Sequence, residues 1–146
     1  MIEPALSLII SQGILTALRG DATLVTSVTQ GGLVKMFFHT APSSQEANLP
    51  YVVVKHVYGG EPAKSPKREF DQLWLVYAVG FDLSNVSTIA GRIRSALVGL
   101  RPTFTNDWLA WEGITISGEY NDATSVQGQE VWKMGVYIRV RGVKNT

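Results

Sequence analysis

The run FDQLWLVYAVGF, Phe70 to Phe81, constrains this chain more than any other segment. In an extended backbone successive side chains point to opposite faces, so Leu73, Leu75, Tyr77, Val79 and Phe81 share one face and Trp74, Val76 and Ala78 the other. Both faces are apolar, and such a strand needs cover on both sides. Two more runs share its aromatic and β-branched character: YVVVKHVY (Tyr51 to Tyr58) and EVWKMGVYIRV (Glu130 to Val140). In the latter, Trp132, Met134, Val136, Ile138 and Val140 alternate with Lys133, Tyr137, Arg139 and Arg141, the clearest two-residue period in the chain.

Helices supply the cover for one face. Val86, Ile89, Ala90, Ile93 and Leu97 form a stripe that predicts a helix from about Asn85 to Val98, with Ser84 as its cap and Gly99 and Pro102 as its end. Leu6, Ile10, Ile14, Ala17 and Leu18 predict another from about Pro4 to Leu18. Gly13 inside it costs about 1 kcal/mol relative to Ala unless close packing needs the missing side chain, and Gly20 is expected as a left-handed cap. Asp21 can cap a short turn or helix through Val28, which Gly31 and Gly32 then break.

Between these helices, LVKMFF (Leu33 to Phe38) is expected as the first strand. HTAPSSQEANLP reads as a surface loop, with Pro50 holding Leu49 extended. Residues Gly59 to Glu69 form a polar loop, Trp108 to Tyr120 a strand region bent around Gly113, and Asn121 to Gln129 a connector. The order helix, strands, helix, strands predicts an α+β fold: a single domain over residues 1–146, with a mainly antiparallel sheet and helices packed on one face. The other face is then a candidate for a neighbouring subunit.

Composition agrees with association. Charged residues make up 17% of the chain and the formal net charge is +1, so repulsion between copies is weak. There is no cysteine, which removes disulfides and thiolate chemistry. No window reaches the roughly 18 apolar residues of a membrane helix, and MIEPALSLIISQG does not read as a signal peptide.

Reactive constellations are hard to find. His39 and His56 have no short-spaced ligand cluster around them, the aspartates fall near element ends where carboxylates cap amides, and no serine sits in a GxSxG elbow. GGLVKMFF lacks a phosphate-loop signature. The expectation is therefore no enzyme, no catalytic residue, no metal and no cofactor. The basic residues Lys64, Lys67 and Arg68 in the long loop, and Arg92 and Arg94 on the second long helix, are candidates for contact with a partner or with nucleic acid; a solvated loop and an ordinary helix face are the alternatives. Trp74, Trp132, Tyr137 and Arg139 are candidates for a subunit interface, and the last strand is a candidate sheet edge for pairing with the next subunit.

An amino-terminal helix ending at LRGDATLVTSV, the junction NLPYVVV, and a strand ending at VGFD before STIAGRIRSALVG follow one another in a recognisable order. This pattern resembles the tail-completion, or tail-terminator, family of long-tailed bacteriophages and their prophage relatives, across nearly the whole chain. The resemblance implies a structural virion protein, assembled in the host cytoplasm, that forms an oligomeric and in several members hexameric ring. Such a ring caps the tail tube, ends its growth and offers the head-to-tail joining surface. Its implied partners are identical subunits, the tail tube protein, a head-side connector protein and DNA in passage, with no membrane. A neck or connector component of the same junction is the alternative, and a small nucleic-acid-binding module or enzyme a more distant one.

Overall fold

The computed structural model describes residues 4–39, 49–60, 68–126 and 128–144. The first helix, α1 (Leu6–Arg19), buries Ile10, Ile14 and Leu18 of the stripe its spacing predicts and leaves Leu6 and Ala17 only partly buried. It buries Ile9 and Leu15 in addition, because the helix is covered on a broader face than the stripe alone. A β-carbon at Gly13 would lie 2.5 Å from ring atoms of Phe104, so close packing does require glycine there. Gly20 is a correction: it is right-handed, at φ −73°, not a left-handed cap. The chain turns one residue later, where extended Asp21 accepts a hydrogen bond from the Leu24 amide and starts α2 (Ala22–Ser27).

Gly31 and Gly32 do more than break a helix. Both have positive φ, +59° and +81°, and they close a small hairpin between β1 (Thr29–Gln30) and β2 (Leu33–Val34). The expected strand Leu33 to Phe38 therefore splits at Lys35. Its second half, β3 (Met36–Phe38), pairs in parallel with β4 (Tyr51–Gly60), after a cis Leu49–Pro50 bond. The Lys35 side chain is 2% exposed and donates to Gln30 Oε1 at 3.0 Å; burial lowers its pKa.

β4 runs antiparallel to β5 (Glu69–Gly80), and α3 (Leu83–Leu97) follows. α3 begins earlier than its stripe predicts, because Asp82 and not Ser84 is the cap: the Asp82 carboxylate accepts from the Ser84 amide at 3.0 Å. The bend expected near Gly113 is a break between β6 (Trp108–Ala110) and β7 (Thr115–Val126). A β-carbon at Gly113 would meet the Gly99 carbonyl oxygen at 2.4 Å, so two backbones cross there. The last strand is β8 (Gln129–Lys144).

Two expectations for the carboxy-terminal third are overturned. Residues 121–126, expected as connector, are strand, because β7 and β8 form a continuous ladder down to Val126 opposite Gln129. β8 is not an edge. The sheet order is β3-β4-β5-β8-β6, with β7 also on β8, so β8 is flanked by β5 on one side and by β6 and β7 in succession on the other. Every pair in this sheet except β3–β4 is antiparallel.

The core lies between the sheet and the three helices. Phe70, Trp74, Val76 and Ala78 of β5 and Val136, Ile138 and Val140 of β8 meet Ile10, Ile14, Val86, Ile89 and Ile93 there. The opposite face has a smaller cluster of its own, with Tyr51, Val53, Val79 and Val131 buried and Phe37, Leu49 and Tyr77 packed against them. Part of the face expected to await a neighbour is thus covered within the chain. The molecule is a single α+β unit: a curled, mainly antiparallel sheet with helices packed against it.

Candidate assembly surfaces

Past the end of β5, whose Gly80 faces Trp132, β7 and β8 continue as a two-stranded arm. Residues 121–126 are exposed throughout, as are Gln129 and Glu130. On the helix side of the arm, Trp132 and Met134 are partly buried, and with Leu83 and Ala123 they line a mostly apolar groove of about 380 Å³. Leu83 is 44% exposed and neighbouring Phe81 41%, so this end of α3 presents apolar surface to the outside.

At the other end of α3 lies an open groove of about 500 Å³, lined by Thr16, Ala17, Gly20, Ala96 and Leu100 among others. Between the two ends, Arg94 pairs with Glu119 of β7 at 3.5 Å, which ties the helix to the arm's base. Arg92, two residues away, points elsewhere on the helix and makes no ion pair among the described residues.

The helix-free face carries charge at one end of the sheet and aromatic rings further along it. Arg139 holds Asp71 through two parallel hydrogen bonds, Nε to Oδ1 at 2.8 Å and Nη2 to Oδ2 at 2.5 Å. Arg141 approaches the same carboxylate, pairs with Glu112 at 3.3 Å and stacks over Trp111. The Arg139 hydrogen bond holds the Asp71 carboxyl below its ordinary value against the opposing effect of burial, and the Arg139 and Arg141 charges add to it. Tyr77, Tyr120 and Tyr137 stack in sequence, with ring centres 5.5 and 6.0 Å apart. Burial, then the neighbouring Tyr51, raises the Tyr77 phenol pKa.

The residues singled out from the sequence do not form one site. Lys64 and Lys67 lie outside the described residues, and Arg68 lies over the Trp108 ring at 5.0 Å. Trp74 is fully buried and donates to Gln72 Oε1 at 2.7 Å, so it faces the core and no neighbour. Tyr137 and Arg139 sit on the helix-free face, whereas Trp132 sits on the helix side. The arm and the arginine–carboxylate network escaped sequence reading. Asn121 to Val126 is exposed on both faces and has no apolar alternation, and Asp71 and Arg139 are 68 residues apart in the chain. Among the described residues no group of His, Cys, Asp or Glu side chains is placed to hold a metal ion.

No protein-family model matches the chain, and no curated protein does. Among solved structures, a chain described as "Virion of native gene transfer agent (GTA) particle" superposes with a TM-score of 0.67 at 16% identity, over 95% of each chain. A second solved chain, 11% identical over 90% of this chain and 96% of its own, gives a TM-score of 0.49. The fold is thus one found in a gene transfer agent virion.

Proposed function

We propose that this chain is a structural virion protein that caps the tail tube of a phage-like particle as an oligomeric ring, hexameric as in several members of the tail-terminator family it resembles. It ends tube growth and provides the surface that the head-side connector meets. The observation that carries this is the near full-length match of its fold to a chain of a gene transfer agent virion. The order of the LPYVVV junction and the STIAGRIRSALVG helix points the same way.

The mechanism is self-limiting assembly. A ring subunit offers different surfaces to its neighbours, to the last tube ring and to the head side, so the growing end is consumed and not copied. No substrate or cofactor is needed. DNA passes through the opening, where weak contacts with arginines serve better than tight ones.

Particles assembled without this chain test the reading by electron microscopy. Overlong or headless tails are the expected result. Normal tails joined to heads overturn it, and tails of normal length that fail to join heads assign the chain to the neck instead.

A further inference from the structure

The two ends of α3 differ in chemistry, and the fold leaves both open. They stand about 21 Å apart at 1.5 Å per residue. At the first end, residues 121–133 carry two carboxylates, Asp122 and Glu130, against one ammonium, Lys133. Asp82, the cap of α3, adds a further exposed carboxylate beside Leu83. The arm end therefore combines an acidic border with the apolar side chains of Leu83, Trp132 and Met134.

The second end is the reverse. Its groove has a floor of small residues, Ala17, Gly20 and Ala96, with room for bulky side chains. Arg19 adjoins Gly20, Arg101 adjoins Leu100, and Arg92 lies one helical turn before Ala96. All three arginines are exposed and none makes an ion pair among the described residues. The Asp21 carboxylate lines the groove itself and accepts from the Leu24 amide; its one negative charge stands against the three arginines next to the lining.

We propose that the arm end of one copy docks into the arginine-bordered groove of the next. Opposite charge at the border selects the partner, and Trp132 with Leu83 supplies the apolar anchor against a floor of small side chains. Because the two surfaces are different, the contact is head-to-tail and closes into a ring when the rotation permits. This inference rests on the ring reading and assigns the surfaces through which its subunits meet.

Two charge-reversed proteins test it by sedimentation velocity. One carries Arg92→Glu and Arg101→Glu in the groove, the other Asp122→Lys and Glu130→Lys in the arm. All four positions are exposed, so both variants keep the native circular dichroism spectrum; the arm variant melts slightly lower, because Asp122 stands opposite Lys133 in the ladder and accepts from the Tyr120 hydroxyl. Each alone self-associates roughly a hundredfold more weakly than the unaltered chain, through like-charge contact. Mixed in equal amounts they assemble again, since each groove then meets an arm of opposite sign. Normal assembly by either variant alone overturns the inference, as does a mixture that stays monomeric. An unaltered chain that never leaves the monomeric state also overturns it, while the tail-length experiment still decides the proposed role on the tube.

Discussion

Gly135 and Gly91 look alike in the sequence and stand in opposite surroundings. A β-carbon at Gly135 would lie 2.0 Å from the Val76 carbonyl oxygen and 2.5 Å from the Tyr77 α-carbon, both backbone atoms that cannot step aside. Gly135→Ala is expected to destabilise the fold by about 2–4 kcal/mol in urea titrations. At Gly91, on the outside of α3, nothing lies within 4 Å, so Gly91→Ala is expected to stabilise by about 0.5–1 kcal/mol in the same assay. Asp71 gives a pH signature. Its folded pKa is depressed, so its contribution is present above the ordinary value of 3.8 and is lost as pH falls through the lower folded value. Half-exposed partners keep that contribution small. Asp71→Asn should therefore melt a few degrees lower than the unaltered chain at neutral pH, with the difference shrinking below pH 3.8.

Helices were the most legible elements, because their apolar stripes repeat at 3.6 residues: four of the five stripe positions of α3 are buried, and three of the five of α1, where Ile9 and Leu15 join them. Their boundaries were less so. Asp82 and Ser84 are both good caps by residue type, and only the backbone geometry decides between them. Asp82→Ala is expected to cost about 1 kcal/mol of stability, whereas Ser84→Ala is expected to leave thermal melting within error. Strand β5 was readable from its two apolar faces, and β8 from its alternation, but not their placement. Nothing in the alternation of β8 says that β5, β6 and β7 all pair with it, since edge and centre differ only in what lies alongside. The arm was hidden for the same reason that it projects: each of its residues 121–126 is exposed.

At the scale of the molecule, the α+β class and the packing of helices on the sheet were legible in the sequence, while the candidate surfaces were not. A groove such as that of Ala17, Gly20 and Ala96 joins residues from two helices that no local pattern links. Stability should be uneven across this architecture. Amides of residues 72–78 and 136–140, in the central pair of strands, are expected to exchange with deuterium at least about a hundredfold more slowly than those of 121–126 and 129–131 in the isolated chain. The arm should gain protection on assembly. Strand β8 also comes after every other described strand in the chain, yet it is the one on which three of them are laid. During synthesis, then, β5, β6 and β7 leave the ribosome before the template that unites them exists. Hairpin β4–β5 can form early, but the helices have no finished platform until β8 emerges, and a nascent chain at that stage has no competent arm. The sheet therefore closes only once β8 has emerged, so copies that still lack it are not yet able to engage one another while being made.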